Sequence, residues 1–289
     1  MRALSVREVR GRLRALGLSP RKALGQHFLV DRGVLGRVVE AADLSPWDTV
    51  VEVGPGLGIL TEAWAERAGR VIALEIDEAL ASALGRALSA YPTVRVVPGD
   101  ARKVDPCGLV PVGSRYKVVA NLPYYAALPI LRRFLESPCR PVLLVVMLQK
   151  EVAQQMTAAP GEMSLLSVAV QFYGRPRRVA TVPPKAFFPP PKVTSAVVRI
   201  DVWPERPLRA DPQGFFALAR AGFSAPRKQL AQVFAARWGV ARDQVEVLLR
   251  RAGVEPLWRA ERLSLEQWGA LYEVWRAWKT GEGAGLRQG

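Results

Sequence analysis

One segment constrains the fold more than any other. Thr49-Val50-Val51-Glu52-Val53 is a β-branched run that stops at Gly54-Pro55-Gly56-Leu57-Gly58, after which Leu57, Leu60, Trp64 and Ala68 recur at helical spacing. A buried strand, glycines at alternate positions and a helix form the first turn of a βα unit, where the backbone can pass close to a ligand. The helix start also offers unpaired N–H groups. The pattern departs from the dinucleotide fingerprint G-x-G-x-x-G, because Ile59 stands where Gly or Ala allows close helix packing. That disfavours a nicotinamide dehydrogenase. Taken alone, the loop is equally a plain tight turn.

The chain beyond it alternates. Apolar runs at 71–74, 94–97, 117–120 and 142–148 read as strands, and 78–90 and 127–136 as helices. Strands separated by helical stretches predict an α/β fold with a mostly parallel sheet. The Pro-rich stretch 182–192 excludes regular helix and central strand, and 193–202 alternates like a strand again. After Pro207 the pattern is helical, with Phe215, Leu218, Ala219 and Phe223 on one face. Three regions follow: a basic arm over 1–37, an α/β domain over 38–202 and a helical domain over 203–289.

The rare residues exclude whole classes of chemistry. With one histidine, His27, and two cysteines, Cys107 and Cys139, no zinc cluster can be assembled and no metal is expected. His27 lies outside any nucleophile motif, which disfavours a catalytic triad. The cysteines have no flanking pattern and predict free thiols in a reducing compartment. The charged N-terminus has no apolar signal-peptide core, and the longest apolar run, Val142 to Leu148, is too short to span a bilayer. These features predict a cytoplasmic protein with no membrane partner.

Charge points to a polyanion. Lys and Arg number 41 against 26 Asp and Glu, a net charge of +15. Nucleic acid is the first candidate, and an Arg-rich composition from codon bias is the competing reading. Residues 1–37 carry +7, 38–201 carry +3 and 202–289 carry +5. Arg7, Arg10 and Arg14 recur at helical spacing and predict one positive face, although a merely solvated basic helix has the same pattern. Residues 171–192 hold five basic residues and no acid among Phe172, Tyr173, Phe187 and Phe188, a combination that suits splayed bases.

Three further strand ends carry chemistry. Glu75 closes the second strand, where a carboxylate can accept both ribose hydroxyls of an adenosine moiety; an ordinary helix-capping acid is the alternative. Asp100 closes the third strand and can accept from an adenine amino group. Asn121-Leu122-Pro123-Tyr124 follows the fourth. An exocyclic adenine amine is a poor nucleophile, because its lone pair is delocalised into the ring. The Asn121 side-chain oxygen and the Leu122 carbonyl, placed on its hydrogens, would concentrate that pair on nitrogen. Pro123 fixes the turn, and Tyr124 can stack on a flipped-out base. Alone, the same four residues make a turn with a packed tyrosine.

In order, VEVGPGLGILT, ALEID, GDA and NLPYY resemble the class I S-adenosylmethionine-dependent methyltransferases that act on adenine N6. Gln26-His27-Phe28-Leu29, after Leu24-Gly25, resembles a Q-N-F-L motif, and FFPPPKVTSAVV over 187–198 resembles F-x-P-x-P-K-V-x-S. Together they are similar to the ribosomal RNA adenine dimethyltransferases of the KsgA type, over about residues 18 to 275. The resemblance implies a Rossmann-like, mostly parallel sheet with a smaller helical C-terminal domain. It implies methyl transfer from S-adenosylmethionine to N6 of two adjacent adenines in a hairpin near the 3′ end of small-subunit rRNA. The partner would be that rRNA within a pre-ribosomal particle, the enzyme a monomer, and its role small-subunit biogenesis.

Residue by residue, the resemblance places His27 and Leu29 beside the cofactor and Gly54 and Gly56 in its loop. Glu75 and Ile76 fall at the ribose, and Asp100 and Ala101 at the cofactor's adenine. Asn121 also falls at the cofactor; Asn121 and the Leu122 carbonyl activate the amine, Pro123 fixes the turn, and Tyr124 and Phe187 sandwich the target base. There are departures. His27 stands where Asn is usual, and a plain structural histidine is the alternative reading. Phe188 is an extra aromatic that could replace Phe187 as the stacking partner. The stretch from Phe223 to Leu230 resembles F-x-x-R-R-K-T-L only loosely. Two other readings stay open: a macrolide-resistance-type enzyme acting on large-subunit rRNA, and a non-enzymatic assembly or nucleic-acid-binding factor on the same fold.

Overall fold

In a computed structural model the described residues are 4–281, so residues 1–3 of the expected arm and 282–289 of the expected helical domain lie outside them. The chain divides into two compact units, residues 1–153 with 175–204 and residues 154–174 with 205–289.

The first unit holds strands β1 (Phe28–Leu29), β2 (Thr49–Val53), β3 (Arg70–Glu75), β4 (Val94–Pro98), β5 (Tyr116–Asn121) and β6 (Leu143–Gln149), then β7 (Gly174–Val182), β8 (Phe187–Phe188) and β9 (Ser195–Val202). Its helices are α1 (Val6–Ala15), α2 (Arg32–Ala42), α3 (Ile59–Ala65), α4 (Glu78–Ala87), α5 (Pro106–Leu109) and α6 (Ala127–Leu135). Seven strands form one sheet in the order β4-β3-β2-β5-β6-β9-β7. The strands from β4 to β6 run parallel, and β9 returns antiparallel against β6. Parallel strands covered on both faces read as continuous apolar runs, and Val50, Val71, Val119 and Leu144 are all buried. The chain order reverses between β2 and β5, so the crevice beyond their carboxyl ends is where this topology binds ligands.

Glu52 interrupts that apolar layer. It is 1 % exposed, and its Oε2 has no hydrogen-bond partner among the described residues. Burial pushes its pKa up to about 8.

The expected basic arm contains a helix, α1, that packs into the first unit. A Ser5–Glu8 capping box starts it, and Val9 and Leu13 enter the same core as Leu35, Leu57 and Leu60. Arg7, Arg10 and Arg14 form the exposed side, so the positive face exists on an integral helix. Residues 171–192 are likewise not one continuous segment. Phe172 and Tyr173 are buried at the end of a helix, Arg175, Arg177 and Arg178 lie on β7 at the sheet edge, and Phe187 is buried. An edge strand tolerates such a charged, weakly patterned sequence, and this is why β7 did not read as a strand.

Cys107 and Cys139 are joined in a disulfide with Cα atoms 5.2 Å apart, contrary to the expected free thiols. They stand 32 residues apart in sequence, on segments that pattern alone does not bring together. Among the described residues no helix is long and apolar enough to cross a membrane, and no group of three or more His, Cys, Asp or Glu side chains could hold a metal ion.

The boundary between the units falls within α7 (Lys150–Met156). The second unit contains α8 (Leu165–Tyr173), α9 (Pro212–Gly222), α10 (Leu230–Trp238), α11 (Arg242–Arg251) and α12 (Leu265–Thr280). It therefore includes residues 154–174, which the sequence pattern assigns to the α/β domain. Aromatic packing is the cause: Phe172 stacks on Phe215 at 4.7 Å and meets Phe216 edge-on at 5.0 Å. Trp268 lies fully buried against Phe223.

Candidate functional site

A cavity opens at the carboxyl ends of β2, β3 and β5. Its lining includes Gly54, Pro55 and Gly56 after β2, Glu75 and Ile76 after β3, Asn121 and Pro123 after β5, and Leu24 to Leu29 from the N-terminal segment. Gly54, Gly56 and Gly58 have φ of +71°, +57° and +78°, a region that side chains disfavour. A Cβ on Gly56 would lie 2.9 Å from a ring carbon of Phe28. Glycine there lets the Gln26–Leu29 segment close over the loop.

Glu75 forms the floor. It is 4 % exposed; its Oε2 accepts from the Gly56 N–H and its Oε1 from the Asp77 N–H, both at 3.0 Å. Burial raises its pKa above the usual carboxylate range, while the same main-chain donors pull it down. A carboxylate has about four acceptor sites, so these two bonds leave capacity for a hydroxyl donor. Asp77 caps α4 by accepting from the N–H groups of Ala79 and Leu80, and it also receives Gln26 Nε2 at 3.3 Å and Arg21 at 3.4 Å. These bonds pin residues 21–26 beside the cavity. The Arg21 and Gln26 contributions were not read from the sequence, because Asp77 lies about fifty positions away and only the fold supplies the pairing.

Asn121 sits at the end of β5. Its Nδ2 donates to the main-chain oxygen of His27 at 2.8 Å. A carbonyl can only accept, so this bond settles which end of the amide is which and leaves Oδ1 as the acceptor Asn121 presents. Leu122 is buried, and its N–H continues the β5 ladder by donating to Met147 O at 3.0 Å. Pro123 packs where Gly25, at φ +62°, would place a Cβ only 3.1 Å away. The glycine of the Leu24-Gly25 pair thus makes room for the Asn121–Tyr124 turn.

Tyr124 is half-buried, and its hydroxyl is 2.6 Å from Ser195 Oγ. Burial raises its pKa. Ser195, 71 residues away on β9, closes the F-x-P-x-P-K-V-x-S segment, but only the fold pairs it with Tyr124. The His27 ring lies within 26° of parallel to the Tyr124 ring, with centroids 6.2 Å apart, and its Nδ1 is 2.7 Å from Pro189 O. Phe187 is 4 % exposed and pairs with Leu29 across β1 and β8, while Phe188 pairs with Phe28 and carries the Arg10 guanidinium 4.9 Å from its ring centre.

Asp100 is placed differently from Glu75. Its two oxygens hold the Arg102 guanidinium at 2.7 to 3.1 Å, and this pairing keeps its carboxyl below the usual range. The cavity lining thus brings together His27, Leu29, Gly54, Gly56, Glu75, Ile76, Asn121 and Pro123. Leu122, Tyr124, Phe187, Asp100 and Ala101 are not among those lining residues.

The arrangement suits a nucleoside-bearing ligand. The glycines allow a close backbone approach, and the floor carboxylate matches ribose hydroxyls. An amide oxygen at the adjacent strand end suits an amine.

Comparison with known proteins agrees. The family described as ribosomal RNA adenine dimethylase matches residues 17–276. A protein of Dehalococcoides mccartyi named ribosomal RNA small subunit methyltransferase A is 49 % identical over 263 residues, 89 % of each chain. One of the same name from Pelotomaculum thermopropionicum is 42 % identical, covering 92 % of this chain and 94 % of its own. Among solved structures, the 23S rRNA methyltransferase ErmE superposes with a TM-score of 0.70 at 29 % identity, over 86 % of this chain and 98 % of its own. A dimethyladenosine transferase of Plasmodium falciparum superposes with a TM-score of 0.75 at 24 % identity, over 88 % and 98 %, and shares the fold.

Proposed function

The chain belongs to the ribosomal RNA adenine dimethylase family, and from that premise we propose how its residues divide the work. It is an S-adenosylmethionine-dependent enzyme that dimethylates adenine in small-subunit rRNA. The relatives that share 42–49 % of its residues carry small-subunit names. The large-subunit and non-enzymatic readings are therefore not favoured.

When bound, S-adenosylmethionine supplies an electrophilic sulfonium methyl. Gly54 and Gly56 let it approach the main chain, Glu75 accepts its ribose hydroxyls, and Ile76 covers the same subsite. Asp100 and Ala101 serve the adenine end, with Asp100 released from Arg102 as it accepts the amino group. His27 and Leu29 lie beside the cofactor. Asn121 Oδ1 and the Leu122 carbonyl accept from the two N–H groups of the target amine, and Pro123 holds the turn between them and Tyr124. As the amine attacks, its nitrogen becomes positive and its N–H groups donate more strongly, so these acceptors matter most in the transition state. Tyr124 and Phe187 sandwich the flipped base. The observation that carries this reading is the Asn121 amide, fixed by the His27 carbonyl beside a cavity floored by Glu75.

The finer reading is that the substrate is two adjacent adenines in a hairpin near the 3′ end of small-subunit rRNA. It is met by a monomer in the cytoplasm, within a pre-ribosomal particle. Arg7, Arg10 and Arg14 on α1 supply phosphate contacts. Mapping dimethyladenosine in rRNA from cells with and without the gene tests it: loss of the modification at one adjacent pair is expected, and an unchanged map refutes it.

A further inference from the structure

We infer that the amino ends of β2, β3 and β5, opposite the cavity, form a second contact for rRNA, where an unpaired base stacks on Trp47; this rests on reading the substrate as rRNA. Trp47 is 92 % exposed on the turn that leads into β2, whereas Trp64 and Trp268 are fully buried. The turn is rigid. The Asp48 N–H closes it by donating to Ser45 O at 3.0 Å, and Pro46 presets its second position. Asp48 Oδ2 accepts from the Ser45 N–H at 2.7 Å, the Ser45 hydroxyl at 2.9 Å and Lys117 Nζ at 3.0 Å. Gly69 packs so closely that a Cβ on it would lie 2.3 Å from Pro46 O. None of these contacts uses the Trp47 ring. A fixed backbone therefore holds a large apolar ring out in solvent.

The surroundings of the ring fit a polyanion. Thr49, the first residue of β2, pairs with Arg70 on β3 and with Tyr116 on β5. Arg70 and Arg115 therefore flank the turn, two strand spacings or about 10 Å apart. Both are exposed, and among the described residues neither makes an ion pair; nor does the half-buried Arg140 ahead of β6. Of the acids at the same ends of these elements, Asp48 is matched by Lys117 and Glu66 by Arg67, while Asp43 is unmatched. Arginine is thus in excess around a bare aromatic ring, the combination that binds unpaired bases and the phosphates beside them. At about 3.4 Å per stacked nucleotide, the two flanking arginines span about three. The fully exposed Val112 is the other large apolar side chain bared at these strand ends among the described residues. Two scattered apolar groups among arginines suit stacking better than a protein interface, whose core is depleted of charge. Five residues of β2 separate this surface from the cavity, roughly 17 Å, so it grips a stretch of RNA other than the target adenine.

The test titrates the full chain, saturated with S-adenosylhomocysteine, against small subunits from cells lacking the gene. Trp47→Ala should raise the dissociation constant at least about fivefold, the low end of base–aromatic stacking, and Trp47→Phe, which keeps a flat ring, should stay within about twofold. Arg70→Gln combined with Arg115→Gln should lower the log–log salt slope of binding by about one unit or more. Single-turnover methylation with S-adenosylmethionine at saturating subunits should stay within about twofold of wild type in every variant, because this surface touches neither cofactor nor target adenine. A photo-reactive benzophenone side chain placed at position 47 identifies the partner, and cross-links to rRNA are expected. An unchanged dissociation constant for Trp47→Ala, a Trp47→Phe variant as weak as Trp47→Ala, or cross-links to a ribosomal protein alone or to nothing overturns the proposal. Wild-type protein that cross-links to rRNA through position 47 but leaves its adenines unmethylated would instead refute the methylation reading and keep this contact.

Discussion

Glu75 and Asp100 end neighbouring strands, β3 and β4, and each stands where a cofactor-binding carboxylate is wanted. Glu75 is buried and held by the main-chain N–H groups of Gly56 and Asp77. Asp100 is half-buried and held by the side chain of Arg102, itself 40 % exposed. A main-chain donor has no rotamer freedom to lose and cannot swing away, whereas a surface guanidinium can. Glu75, which lines the cavity, is therefore held rigidly, while Asp100, outside the lining, would exchange Arg102 for another partner in its proposed role. Glu52 on β2 sharpens the contrast: it is as buried as Glu75, yet its Oε2 has no donor.

The largest effect should come from the most rigidly held acceptor. Asn121→Ala should lower single-turnover methylation about a hundredfold to a thousandfold while leaving cofactor affinity within a few-fold. Asp at this position should be tolerated better than Ala, because it keeps an acceptor oxygen. A rate within threefold of wild type for Asn121→Ala would mean that something else activates the amine.

Glu52 tests what a buried carboxyl with one unpartnered oxygen costs. It keeps its proton in the folded chain until about pH 8, while in the unfolded chain it ionises near 4.5. The folded state therefore binds more protons across that window, and stability falls as pH rises from about 4.5 to 8, then levels off. Glu52→Gln should stabilise the protein by a few kcal/mol at pH 8 and far less at pH 5, measured by denaturant unfolding. Equal effects at both pH values would show that Glu52 is ionised in the fold.

At the floor itself, Glu75→Ala should weaken S-adenosylmethionine binding at least about tenfold by calorimetry. Because burial raises its pKa, wild-type affinity should decline as acid protonates Glu75, and Glu75→Gln should remove that dependence. A variant that binds normally would put the cofactor elsewhere.

The smallest effects belong to the exposed groups. Arg102→Ala should change cofactor affinity by less than about threefold, since exposed ion pairs contribute little. A tenfold loss would mean that the pair with Asp100 is part of the binding site rather than a partner to be exchanged. Replacing Arg7, Arg10 and Arg14 together by Gln should lower the log–log salt slope of RNA binding by at least about one unit if two or more meet phosphate. These substitutions leave Val9 and Leu13, which belong to the core, in place.

Much of this was legible in residue order. Local patterning sets the strands and helices, so the runs ending at Val53, Glu75 and Asn121 could be read directly, and the topology rule then gathers their carboxyl ends. Pattern is weaker where neither burial nor period is strict. The edge strand β7 is charged and irregular, and α8 is apolar but gives no sign of which unit it joins until Phe172 meets Phe215.

What the sequence determined by itself is the βα order, the acceptors at the strand ends, the exclusion of a Cys/His zinc cluster and the resemblance that named the chemistry. All of these depend on residue type and on short-range spacing. Tertiary structure alone decided the rest. It showed that Cys107 meets Cys139, that α1 is core rather than tail, that Ser195 holds Tyr124, and that a side chain holds Asp100 where main-chain N–H groups hold Glu75. It also set the orientation of the Asn121 amide, through a carbonyl 94 residues away. Hydrogen bonds and packing between distant segments depend on where the chain returns in space, and no local period records that.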